Sequence, residues 1–179
     1  MPRFAVFIAL SLFGAFSAAA QGPQGVYAPN QRSEVALTYT FVRFYEVPHT
    51  LPNENGFTLS GAYYPREWVG ADLELTGAFG NQNDEASQLF FFGAGPRLRW
   101  PASDMIQLWV HGLIGDAHFT PKTPYGSESA FAYKGGGGID LAFRHSRIAY
   151  RIAADVVGTR FFGTYQYSPQ VSAGIVFKF

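Results

Sequence analysis

Apolar and polar residues alternate with a period of two through most of this chain, and the alternation breaks at clusters of Pro, Gly, Asn and Asp. Such alternation marks strands with one covered face, and the breakers are turn formers. Strands are therefore predicted over Glu34 to Tyr45, Gly56 to Tyr64, Trp68 to Gly80, Gln88 to Trp100, a fifth from Ile106, Ala130 to Arg144, Arg147 to Val157, and a last one ending on Phe179. The connections Pro65 to Glu67, Pro101 to Asp104 and His145-Ser146 are short, and those over Glu46 to Asn55, Asn81 to Ser87, Asp116 to Ser129 and Gly158 to Tyr165 are longer. Short and long connections are thus expected to alternate along the chain.

The two faces differ in chemistry as well as in polarity. In the third strand Val69, Ala71, Leu73, Leu75 and Phe79 oppose Asp72, Glu74 and Thr76; in the fourth Phe90, Phe92, Ala94 and Leu98 oppose Gly93, Gly95, Arg97 and Arg99. The sixth sets Phe131, Tyr133, Ile139 and Leu141 against Lys134, Asp140 and Arg144, and the seventh sets Ile148, Tyr150 and Ile152 against Arg151 and Asp155. A soluble lipocalin-like carrier would be oily inside and polar outside. Here the aromatic parity and the charged parity are opposite sets, which predicts an all-β fold: an eight-stranded antiparallel up-and-down transmembrane β-barrel, its apolar wall toward lipid and its charges in the lumen. Aromatics then sort by height. Tyr63, Tyr64, Trp68, Trp100, Phe143, Tyr150, Phe177 and Phe179 lie toward the short turns, and Phe41, Phe44, Phe57, Phe79, Phe90, Phe131, Tyr133 and Phe161 toward the long loops, as two interfacial girdles.

The first residues carry a different signal. Arg3 precedes the apolar run Phe4 to Phe16, and Ala18-Ala19-Ala20 supplies a small-x-small cleavage site before Gln21. A secretory signal peptide over residues 1–20 is expected, followed by an irregular lead-in over 21–32 and a barrel domain over 33–179. The chain has 13 basic and 13 acidic residues, so no charge excess points to nucleic acid, which is not expected as a partner. It has no cysteine, so an exported form must close by packing and hydrogen bonding alone.

The last strand carries the most specific motif. Ser172, Gly174, Phe177 and Phe179 match the polar-x-Gly-x-x-aromatic-x-Phe signal that ends bacterial outer-membrane β-barrels. With the strand count and the girdles, the chain resembles the small outer-membrane β-barrel domain family that includes OmpA-like and OmpX-like eight-stranded barrels. The resemblance implies integral residence in the outer membrane of a Gram-negative cell envelope, among outer-membrane lipid and lipopolysaccharide, after export past periplasmic chaperones and insertion by the barrel-assembly machinery. It implies a monomer without cofactor. A non-enzymatic structural or surface-interaction role is expected, with four extracellular loops on a rigid barrel; the alternative is a narrow pore for ions or small solutes.

Candidate chemistry centres on the lumen. The expected charge network comprises Asp72, Glu74, Arg97, Arg99, Lys134, Asp140, Arg151 and Asp155. If His145-Ser146 is a two-residue hairpin, counting back sets Asp140 opposite Arg151. Asp72 and Glu74 should meet Arg97 and Arg99, and Glu34 should meet Lys178 where the first and last strands close the barrel. A plug of salt bridges is expected rather than an ion path, because eight strands leave an interior just wide enough for side chains. Gly135 to Gly138 lacks the Lys-Ser or Lys-Thr of a phosphate loop and reads as close backbone approach near Trp109. His49, His111, His118 and His145 have no metal-ligand spacing. For a lipid A-modifying enzyme the candidates are His118, Ser127, Glu128 and Ser129 in the longest loop; a solvated polar loop is the expected reading, and no catalytic residue is assigned.

Overall fold

The computed structural model describes residues 31–43, 53–82, 85–121, 126–142, 147–161 and 163–179. The signal segment 1–20, most of the lead-in 21–32, Phe44, His49, Phe143, Arg144 and the His145-Ser146 turn lie outside the described residues. Eight strands follow one another: β1 (Ser33–Arg43), β2 (Asn53–Arg66), β3 (Val69–Gln82), β4 (Glu85–Pro101), β5 (Ile106–Pro121), β6 (Glu128–Ala142), β7 (Ile148–Phe161) and β8 (Thr164–Lys178). Each pairs antiparallel with its sequence neighbour and β8 returns to β1, so the sheet is a closed barrel without an edge. This is the predicted eight-stranded antiparallel up-and-down β-barrel. Closure satisfies the backbone hydrogen bonds within the sheet, the condition for crossing a bilayer with strands.

The register sets the tilt. The ladder from Arg97 passes through His111, Gly136, Asp155, Gln170, Val42, Glu54 and Gly80, and returns to β4 at Ser87 rather than at Arg97. Such a stagger inclines the strands by roughly 35–45° to the barrel axis and fixes a narrow lumen. Parity divides the side chains as alternation predicts. Leu37, Phe57, Ile114, Phe131, Ile152 and Tyr165 stand exposed on the wall, while Thr38, Thr58, Asp72, Arg97, Asp140 and Lys178 are buried inside. The wall is apolar and the interior polar, the reverse of a protein covered by water.

Glycine is required by the geometry at several positions, among them Gly174 and Gly163. A Cβ on Gly174 would lie 2.1 Å from the Leu37 carbonyl oxygen, so the β8–β1 seam closes only with glycine there. Gly163 has φ +77°, the left-handed conformation that a tight hairpin demands.

The connections depart from the expected alternation. Only residues 83 and 84 separate β3 from β4, and only 162 and 163 separate β7 from β8. The strand at Pro121 and the strand from Glu128 extend well into the segment expected as the Asp116 to Ser129 loop. Polar residues at strand ends carried no apolar alternation, yet they extend ladders already paired below them. At the end opposite the start of β1, the upper end, the longer connections are therefore residues 44–52 and 122–127. Two girdle assignments also change: Tyr64 and Phe161 are fully buried in the lumen, because inward parity places them there despite their aromatic character.

The inside/outside division is testable at neighbouring positions. Leu75 is exposed near mid-strand on the wall, and Leu75→Arg is expected to cost about 2–4 kcal/mol in a bilayer. Thr76, buried inside beside Thr58, should lose less than about 1 kcal/mol on change to Ser, because a hydroxyl is kept. Equal losses in urea unfolding from lipid vesicles would contradict the division.

Candidate functional site

The lumen holds two layers. The lower one, toward the start of β1 and the end of β8, is built of charges. Asp140 on β6 faces Arg151 on β7 in register, and receives Arg151 Nε at 2.8 Å and Nη2 at 2.9 Å. Lys178 Nζ lies 3.0 Å from Oδ2, the oxygen that accepts from Nη2, and Trp109 donates its indole N–H to Oδ1 at 3.1 Å. Arg151 also donates to Glu34 at 2.7 Å, a contact that passes over β8 to β1 rather than along a ladder.

Asp72 on β3 is met by Arg97 Nη1 at 3.3 Å and by His111 Nδ1 at 2.9 Å. The other ring nitrogen of His111 reaches Asp155 at 3.0 Å. Carboxylates only accept, so both contacts are hydrogen bonds when both ring nitrogens carry protons. Charge counting agrees: the ion pairs join the carboxylates of Glu34, Asp72, Glu74, Asp140 and Asp155 to the cations of Arg97, Lys134, Arg151 and Lys178, and an imidazolium at His111 makes the two sets equal. Lys134 pairs closely with Glu74 and stands 3.8 Å from Asp155. Trp109 is the apolar centre of this layer, with the guanidinium carbons of Arg97 and Arg151 3.9 and 4.8 Å from its ring centroid. Its ring occupies the space a side chain at Gly138 would take, since a Cβ there would lie 2.6 Å from Trp109.

Above the charges sits a mainly apolar layer of Val42, Leu89, Phe91, Leu113, Phe119, Val157 and Phe161 with small alanines between them, which also holds the buried Glu54, accepting from the Ser87 hydroxyl at 2.8 Å. Phe119 and Phe161 pack with ring centroids 5.8 Å apart. Lys134 Nζ, 5.5 Å from the Phe91 centroid, marks the boundary between the layers. Sequence reading missed this layer, although Leu89 and Phe91 share the inward parity of Arg97; an apolar residue on a charged parity was the available signal.

The predicted site residues are distributed as follows. Asp72, Glu74, Arg97, Lys134, Asp140, Arg151 and Asp155 are all buried in the lower network. Arg99 is not part of it. It lies at the lower rim, where it donates to the carbonyls of Glu67 (2.6 Å) and Gln31 (3.0 Å) and stacks on Tyr64 at 3.8 Å. The strand end leaves backbone carbonyls unpaired at that height, and a guanidinium is the donor that reaches them. Glu74 is paired by Lys134 across the lumen instead of by a β4 arginine. Glu34 and Lys178 are register partners where the first and last strands close the barrel; Glu34 also pairs with Arg97 and Arg151, and Lys178 with Asp140. In the last strand Ser172 faces inward, Phe177 faces outward, and Phe179 closes against Ser33 through backbone hydrogen bonds of 2.8 and 3.2 Å. His118 and Ser129 are brought together outside the barrel, with Nδ1 and Oγ 2.7 Å apart. Glu128 takes the opposite parity and lies off that face. Among the described residues no group of His, Cys, Asp or Glu is arranged to hold a metal ion.

With this geometry in view, the chain matches no family model and no curated protein. Solved structures do match. Neisserial surface protein A superposes with a TM-score of 0.69 over 82% of this chain and 97% of its own, at 10% identity. Its fold is that of the small outer-membrane β-barrels. Ail, the attachment invasion locus protein of Yersinia pestis, gives a TM-score of 0.58 at 20% identity over 82% of this chain and 99% of Ail. The N-terminal β-barrel domain of Pseudomonas aeruginosa OprF gives 0.55 at 13% identity over 87% of this chain and all of that domain. At these identities the likeness is one of fold, and the lumen chemistry belongs to this barrel's own residues.

Within the network the Asp140 carboxylate satisfies groups from three strands. Its loss by Asp140→Ala leaves Arg151 and Lys178 buried without it, and is expected to cost about 3–5 kcal/mol. Arg99→Ala at the half-exposed rim should cost about 1 kcal/mol or less. Equilibrium unfolding of both variants in detergent micelles measures the difference; similar losses would contradict the distinction between network and rim.

Proposed function

We propose that this chain is an integral outer-membrane barrel with a non-enzymatic, structural or surface-interaction role. The observation that carries this reading is an apolar wall around a lumen filled in two layers, charged below and apolar above. A lumen so filled conducts nothing of the size of a sugar, and a wall so apolar belongs in lipid. The lower end, where β1 starts and β8 finishes, faces the periplasm in this reading, and the upper end faces outward. Contact with the surroundings then falls to the segments 44–52 and 122–127 and the adjoining strand ends, rather than to four long loops. A catalytic role for His118 and Ser129 is disfavoured by their place in the β5–β6 ladder, where backbone N–H groups are engaged by neighbouring strands and do not converge on a reacting oxyanion.

A narrow pore is the second reading, favoured by one feature. Thr159, Gln166, Ser168 and Gln170 carry buried polar atoms without hydrogen-bond partners among the described residues, along β8 and its neighbour. A file of water there would satisfy them. Planar-bilayer recordings separate the readings. The native barrel is expected to give no steady conductance, and Phe119→Ser with Phe161→Ser, which thins the apolar layer, should open one. A large, steady conductance from the native protein would establish the pore instead.

Export past periplasmic chaperones and insertion by the barrel-assembly machinery complete the proposal. Deleting Phe179 is expected to lower outer-membrane yield in cells several-fold while refolding in detergent changes little. Unchanged yield in cells would remove the terminal strand's role as a signal.

A further inference from the structure

The outer wall carries a polar group at an unexpected height. Asp116 on β5 is exposed, and its register partners on either side, Phe92 and Phe131, are exposed aromatics. One step higher on the same face, His118 lies between Phe90 and Ser129 and is hydrogen-bonded to the serine. Beside these groups Gly77, the register partner of Phe90, contributes no side chain. The result is a half-open groove of about 460 Å³ on the wall, lined by Leu75, Gly77, Phe92, Asp116, His118 and Ser129. A groove of this volume lies within the range of small-ligand sites, roughly 300–1,000 Å³.

The polar edge of the groove has a defined hydrogen-bonding character. The carboxylate of Asp116 accepts. When the Ser129 hydroxyl donates to Nδ1 of His118, the ring proton sits on Nε2 and is a donor. One acceptor and one donor at the border of an apolar groove match a hydroxyl and a carbonyl at the border of an acyl chain. The carboxylate also disfavours a phosphate seated directly upon it. We propose that this groove binds a single acyl lipid with a free hydroxyl near its acyl linkage, its chain against Leu75 and Phe92, its hydroxyl on Asp116 and its linkage carbonyl on the His118–Ser129 pair. This inference rests on the reading of the barrel as a membrane protein. A glycolipid with hydroxylated acyl chains carries this chemistry.

Native mass spectrometry of the full refolded barrel tests the site. The protein in detergent is offered lipid A, or phosphatidylglycerol or phosphatidylethanolamine, neither of which has a hydroxyl beside its acyl linkage. One lipid A per barrel is expected to be retained, and phosphatidylglycerol and phosphatidylethanolamine should each be retained at least tenfold less. His118→Leu with Ser129→Ala, both on the exposed wall, should reduce retention at least tenfold. Gly77→Leu, which fills the groove while leaving the polar groups in place, should do the same, and Tyr150→Phe elsewhere on the wall should not. Retention unaffected by either groove variant, or equal for all three lipids, overturns the site, as does release of fatty acid from a bound lipid. A chain that folds as a monomer in plain buffer overturns the membrane reading and the site with it.

Discussion

Closure of eight strands into a ring is the constraint on which the rest depends. It removes every sheet edge, and it leaves a lumen that side chains themselves must fill. Inward charges therefore find partners on other strands, because the lumen is narrow. Lys134 reaching Glu74, and Arg151 reaching Glu34, are consequences of that width. Buried charges on one strand would be costly; pooled from seven strands, His111 on β5 included, they neutralise one another.

This pooling gives the network a specific logic. Asp140 collects Arg151, Lys178 and Trp109, while His111 joins Asp72 to Asp155. Trp109, lying between two guanidinium groups, fills volume that alanine-sized residues would leave open, and Gly138 makes room for it. The apolar layer above then completes the seal by a different means, excluding water rather than binding charge. In the proposed reading of a filled lumen, recognition falls to the rim and to the lipid-facing surface.

The lipid-facing surface is where the polar trio of Asp116, His118 and Ser129 becomes informative. Polar residues within a strand's outward parity are set against aromatic neighbours by register, not by sequence proximity, since Ser129 belongs to a different strand from the other two. The same register that closes the ring thus creates the groove beside them.

Much of the fold was legible from alternation alone. Strand number, order and parity follow from period-two patterning, because a strand exposes successive residues to opposite faces and a thin wall has only lipid and lumen to offer them. The Asp140–Arg151 opposition was also legible, since a hairpin fixes register by counting back from its turn. What the sequence could not determine is every relation across the lumen. The partner of Glu74, the bridge made by His111 and the departure of Arg99 to the rim depend on stagger and tilt. Those are properties of the closed ring, fixed only when β8 meets β1, and alternation along one strand carries no information about which height on the opposite wall it will face.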